Sequence, residues 1–191
     1  MMGPDAALSL PAGQPDLTDP GDVTTVSALV AQRAWNATRA EYPAACIHQL
    51  VELHAARTPA SLALADSTAE ISYWQLSQRS NQLAHYLLGL GARPDTPVAV
   101  CMERSVDLVV TLLGILKAGA AYLPLDPAYP AERLAFMLGD SRAPIVLTQG
   151  ALRPLLPDPP GPARLVALDD MAALLADQPP TLPPSPVEPE V

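Results

Sequence analysis

PVAVCMERSVDLVVTLLGILKAGAAYLPL, residues 97–125, is the stretch whose reading decides the fold. Pro97 to Met102 is a short run of apolar residues, the pattern of a buried strand. Ser105 offers a hydroxyl to the first amides of a following helix, and Asp107 stands at the positive end of its dipole. The helix body, Leu108 to Leu116, is apolar on all sides, so it is expected to lie buried between layers. Lys117 in the last turn and Gly119 beyond it are stop signals. Ala121 to Leu125 then returns as a strand. Strand, helix and strand of these lengths make a βαβ unit, whose two strands run parallel.

The same alternation extends in both directions. Residues 46–57 place Ile47, Leu50, Val51 and His54 on one helical stripe, and Thr58-Pro59 ends that helix because a residue before proline avoids the α region. Leu62 to Ala65 reads as a short strand. Ser72 followed by Gln75 is a capping box, which satisfies two orphan amides at a helix start. That helix carries Leu76, Leu83, Leu87 and Leu90 on one side and reaches Gly91, a C-terminal stop. Downstream, Pro130 fits the first turn of a helix with Leu134, Met137 and Leu138 inward and Gly139 closing it. Pro144 to Thr148 and Leu165 to Leu168 are two further strands. The fold class is α/β, with mostly parallel strands alternating with helices.

Proline divides the chain. Four of the 23 prolines fall in residues 1–20, eight in 21–149 and eleven in 150–191. Proline lacks a backbone donor and fixes φ, so dense tracts favour extended, linker-like backbone. The expected organisation is a loose head over about 1–22, an ordered middle over about 45–148 and a tail that loses order after about residue 176. No internal repeat is visible.

Composition narrows the function. The net charge of −9 and the scatter of ten Arg with a single Lys, Lys117, argue against nucleic acid, which requires a clustered basic face. Cys46 and Cys101 do not make a disulfide framework, as expected of a reducing, cytoplasmic setting. The N-terminus has no basic region ahead of an apolar stretch, so no signal peptide is read there. The nine-residue apolar run Leu108–Leu116 is about half of a membrane span.

The chemistry-bearing candidates are sparse. His48 and His54 lie six apart rather than at the i, i+4 spacing of two ligands on one helical face, and with His85 they suggest no metal site. Asp169-Asp170 reads as a solvated face. Ser105 lacks the surroundings of a hydrolase elbow. Gly89-Leu90-Gly91 has no third glycine, and no phosphate-loop motif is present. Tyr73, Trp74 and Phe136 read as packing residues, and Asn36-Ala37-Thr38 is a glycosylation sequon without meaning in a cytoplasmic protein. No catalytic, cofactor-binding or metal-binding residue is assigned.

Residues 116–130, Leu-Lys-Ala-Gly-Ala-Ala-Tyr-Leu-Pro-Leu-Asp-Pro-Ala-Tyr-Pro, are physically a helix end, a strand and a turn pinned by prolines; nothing in that chemistry demands catalysis. As a string of residues, the segment resembles the second core motif of nonribosomal peptide synthetase adenylation domains. Ile71-Ser72-Tyr73-Trp74-Gln75-Leu76 resembles their first core motif, with Ile for the more usual Leu. Glu103-Arg104-Ser105, and Glu132-Arg133-Leu134 with Met137-Leu138, are similar to the family in order and spacing. Trp35-Asn36-Ala37-Thr38, Tyr42-Pro43 and Ile47-His48-Gln49-Leu50 resemble the linker between condensation and adenylation domains. The resemblance covers roughly residues 33–176 and implies a disordered head over 1–22, a linker over 23–45, the N-terminal part of an adenylation domain over 46–176 and a Pro-rich tail over 177–191.

It implies an acyl-adenylate-forming fold and a ligase that activates an amino acid with ATP and hands it to a carrier-protein thiol. The family's phosphate loop, substrate pocket and catalytic lysine have no counterpart here, and the phosphate loop is expected shortly beyond the Pro-rich tail. Lys117 falls on the scaffold lysine of the second core motif. The resemblance therefore implies an N-terminal portion that is inactive alone, with ATP and Mg expected only for the complete enzyme. Its partners would be a condensation domain upstream and the adenylation core and carrier protein downstream. The alternatives are a non-catalytic docking subunit that completes a split synthetase, and a gene relic.

Overall fold

The computed structural model describes residues 23–41, 43–158 and 161–184. The head expected over 1–22 lies outside the described residues. The chain forms two compact units, residues 1–43 and 44–191. The first contains helix α1 (Val23–Trp35), so the front of the segment read as a linker is helical.

The second unit runs α2 (Ile47–Arg57), β1 (Leu62–Ala65), β2 (Glu70–Ser72), α3 (Tyr73–Gly89), β3 (Pro97–Cys101), α4 (Val106–Lys117), β4 (Ala121–Pro124), α5 (Ala131–Ser141), β5 (Ile145–Thr148), β6 (Arg164–Ala167) and α6 (Ala172–Ala176). Strands β4-β3-β5-β6 form one wholly parallel sheet, and β1 and β2 form an antiparallel hairpin beside it. The expected α/β class is what the structure shows.

Side chains along a strand alternate between its faces, and both faces of the sheet are covered. Val98 and Val100 of β3, with Ile145 and Leu147 of β5, pack with Leu83 and Leu87 of α3 and Ile115 of α4. Ala99, Cys101 and Val146 point the other way, onto Leu134 and Leu138 of α5. A third cluster joins the hairpin residue Ile71 and Leu76 of α3 to Val106, Val110 and Leu113 of α4. Contact with three partners explains why α4 has no polar stripe. Among its residues only Asp107 is exposed.

The helix boundaries follow local chemistry. The Ser72–Gln75 capping box forms as expected, with the Ser72 amide donating to Gln75 Oε1 at 2.8 Å and the Gln75 amide donating to Ser72 Oγ at 3.3 Å. Helices α3 and α4 stop in the same way. Gly91 (φ +97°) and Gly119 (φ +80°) take the left-handed conformation, and the next amides, Ala92 and Ala120, reach back to the Leu87 and Ile115 carbonyls.

Three expectations need correction. Helix α5 runs past Gly139 and is closed by Arg142 at φ 51° instead. The buried stripe of α2 is not Ile47–Leu50–Val51–His54. Ile47 is 69% exposed, whereas His48 is 4% exposed and Glu52 faces inward. The inward face instead carries Glu52, whose Oε1 meets the buried Lys117 ammonium. Finally, residues 177–184 of the Pro-rich segment are held in place, while 185–191 lie outside the described residues. The held part lies across α3, and Pro183 is fully buried.

Candidate functional site

In an open parallel sheet, ligands bind beyond the carboxyl ends of the strands where the strand order reverses. Here that point is β3. The chain leaves it for β4 on one side, then crosses back to β5 on the other. The loops at this end are 102–105 after β3 and 149–150 after β5, tied by the Glu103 amide donating to Gln149 Oε1 at 3.0 Å. Two clefts flank them. One, of about 320 Å³, is lined by Arg79, Met102, Asp107, Gln149, Leu168 and Asp169 among others. The other, of about 510 Å³, is lined by Glu103, Arg104, Tyr122, Asp126 and Tyr129 among others.

The N-terminus of α4 opens on this region, and such a terminus is a natural phosphate site. In this protein two of its amides have side-chain acceptors. Val106 donates to Asp66 Oδ2 at 2.8 Å, and Leu108 donates to Ser105 Oγ at 3.2 Å, the cap expected from the sequence. Asp66 also accepts from the Thr68 amide, the Thr68 hydroxyl and the Ala69 amide. These bonds, that from Val106 foremost, hold its carboxyl far below the usual carboxylate range. Among the described residues, no group of three His, Cys, Asp or Glu is placed to hold a metal ion. No reaction step is assigned to the described residues.

The other polar centre is buried. Lys117 has 0% exposure, and its ammonium lies 2.5 Å from Glu52 Oε1, 2.7 Å from Ser80 Oγ, 2.8 Å from Asn81 Oδ1 and 3.3 Å from the Ser77 carbonyl. The Ser77 hydroxyl is 2.9 Å from both Glu52 oxygens. Desolvation pulls the ammonium below the ordinary lysine range, and Glu52 opposes that shift. With its acceptors on α2 and α3, Lys117 cross-links three helices and presents nothing to a substrate. Its reading as a scaffold position fits this geometry. Its reading as a helix-end cation omitted the ion pair.

His48 borders the network with its Nε2 buried and unpartnered among the described residues. Burial first, then the Lys117 ammonium, hold its imidazole below the ordinary histidine range, while Glu52 pulls the other way. A histidine with a lowered folded value is fully compatible with folding above its unfolded value, near 6.5. As the pH falls below that, the unfolded chain gains the proton more readily and stability is lost. The urea midpoint should therefore fall between pH 7.5 and 5.5, and His48→Leu should flatten that dependence. An equal slope in both proteins would remove His48 from the account.

The remaining candidates disperse. His54 stacks on Tyr73, with ring centroids 5.5 Å apart, and His85 Nε2 lies 3.0 Å from the Thr181 carbonyl. The three histidines do not converge. Asp169 is exposed, as expected of a solvated face, but it also accepts from the Gly150 amide at 2.8 Å. Trp74 and Phe136 are 54% and 70% exposed and stack on nothing among the described residues. Cys101 is buried in β3, and Cys46 precedes α2, its amide donating to Gln49 Oε1 at 2.8 Å. The sequence reading missed Glu52, Ser77, Ser80, Asn81 and Asp66. A signal existed for three of them: Ser77, Ser80 and Asn81 recur at i, i+3 and i+4 on the face that otherwise carries leucines.

A model of the AMP-binding enzyme family matches residues 51–189. A linear gramicidin synthase from Brevibacillus parabrevis is 45% identical over 83% of this chain, and bacitracin synthase 3 of Bacillus licheniformis is 47% identical over 66%. The chain spans only 3% and 2% of those two proteins. The solved nonribosomal peptide synthetase FmoA3 superposes with a TM-score of 0.73 at 30% identity, over 83% of this chain and 17% of its own. Its form bound to α-methyl-L-serine-AMP gives 0.72 at 30% identity, over 81% of this chain and 17% of its own. Among the described residues no helix is long and apolar enough to cross a membrane. The chain therefore belongs to the AMP-binding enzyme family, and within it corresponds to the N-terminal portion of a nonribosomal peptide synthetase adenylation domain.

Proposed function

We propose that this chain is the scaffold portion of a domain that activates an amino acid with ATP and passes it to a carrier-protein thiol. In that reaction the amino-acid carboxylate attacks the α-phosphorus of ATP and pyrophosphate leaves. The thiolate then attacks the acyl carbon and AMP leaves. The observation that carries the reading is the 45% identity to a gramicidin synthase of which the chain spans 3%. Shares that small also support other domains of a synthetase module as its partners, a condensation domain before it and a carrier protein after it. Two features favour a structural role for these residues. The lone lysine is enclosed by scaffold acceptors, and the first amide of α4 is bound by Asp66.

The test is amino-acid-dependent exchange of pyrophosphate into ATP. The 191-residue chain alone should give none above the blank, and clear exchange would overturn the scaffold reading. Co-expression with the remaining part of an adenylation domain then separates a docking subunit from an inert portion. Activity restored in trans supports the docking subunit, and no association counts against it.

A further inference from the structure

Residues 176–184 cross the outer side of α3, and every hydrogen bond that α3 side chains make to them runs in one direction. Asn81 Nδ2 donates to the Pro180 carbonyl at 2.8 Å. Gln82 Nε2 donates to the Ala176 carbonyl at 3.0 Å and lies 3.3 Å from that of Gln178. His85 Nε2 is 3.0 Å from the Thr181 carbonyl, so it must carry the proton there. The sequence explains the direction. Pro179, Pro180, Pro183 and Pro184 have no amide hydrogen, and such a strap offers mainly carbonyls. Three donors at positions 81, 82 and 85 form a matching edge on α3.

Asn81 differs from the other two because it is 3% exposed and faces two ways. A side-chain amide can turn over and exchange its donor and acceptor ends. Here the Lys117 ammonium, which can only donate, lies 2.8 Å from Oδ1 and fixes the carbonyl end inward. The NH₂ end is thereby aimed at the strap. The buried charge does not touch residues 176–184, yet it sets the orientation of the group that does.

We propose that residues 176–184 form a latch seated by this donor edge, with Asn81 as its positioning residue and Lys117 as the fixed charge that orients Asn81. Only the first residue of the latch, Ala176, lines the smaller cleft, beside Leu175 of α6 and Gln82 of α3. This inference concerns the chain itself and stands or falls independently of the proposed reaction.

Hydrogen exchange followed by mass spectrometry on the 191-residue chain tests it. Asn81→Asp keeps an acceptor for Lys117 but turns the strap-facing donor into a second oxygen. Exchange in the peptide spanning 172–184 should then rise about tenfold, while the β3 and β5 peptides stay as protected as in the wild type. Unchanged protection of 172–184 would overturn the proposal. If Asn81→Asp instead loses protection throughout the sheet, the pair Gln82→Ala and His85→Ala decides. Both groups lie outside the Lys117 network, so the sheet should survive their removal. The latch should open in that double variant, and a strap as protected as in the wild type would refute it.

Discussion

Glu52→Leu should lower the unfolding free energy by about 3–5 kcal/mol, the range for removing one partner of a buried ion pair. The loss comes from what remains behind. Lys117 is wholly enclosed, and without Glu52 its ammonium keeps Ser80, Asn81 and the Ser77 carbonyl as neutral acceptors but no counter-charge. The Ser77 hydroxyl loses its partner in the same step. A domain of this size is stable by only about 5–15 kcal/mol, so the variant should approach unfolding at room temperature. The check is a urea titration, with the midpoint shifted and the slope unchanged. Glu52→Leu combined with Lys117→Met should recover a large part of the loss, because a well-packed apolar pair replaces an ion pair at little cost. If the double variant were as weak as the single one, the damage would lie in α2 packing rather than in the stranded charge.

Gly114→Val should cost about 3 kcal/mol, the upper end for overpacking a tight core. Gly114 lies where α4 crosses α3, and a Cβ built there would stand 2.9 Å from Leu83 Cδ2 and Cγ and 3.0 Å from Leu83 Cβ. Leu83 cannot swing away as a whole, since its Cβ is fixed to the α3 backbone and the residue is 2% exposed. Gly114→Ala should fall between the variant and the wild type, because the same contact is partly offset by about 1 kcal/mol of better helix propensity. The ranking wild type, then Ala, then Val, read from thermal or urea midpoints, is the expected result. An alanine variant more stable than the wild type would mean that the helices can part without loss.

The sequence carried most of the fold because its strongest signals are local. The capping box at Ser72, the Ser105 cap and the stops at Gly91 and Gly119 each depend on residues within one helical turn. The apolar runs identified five of the six strands to within a residue, while β2, three residues long and merging into the Ser72 cap, was missed. The weakest prediction was α2, whose apolar stripe mixed two faces, and there the tertiary partner chose. Gly139 misled for a related reason. Arg142 reached the left-handed conformation three residues later, after α5 had gained another turn.

What the sequence determined by itself was the alternation of strands and helices from Ile47 to β6, short of the strand β2, the α/β class and, through its motif strings, the family. Those depend on residue type and spacing along the chain. What only the tertiary structure decided were the long-range polar contacts: Asp66 on the α4 terminus across 40 residues, Lys117 on Glu52 across 65, and Asn81 on Pro180 across 99. A hydrogen bond or ion pair depends on position in space, and an isolated Asp, Lys or Asn carries no mark of the partner that folding will bring to it. The scaffold could therefore be read from the chain, while the groups that bind the α4 terminus and hold the strap became visible only once the helices had packed.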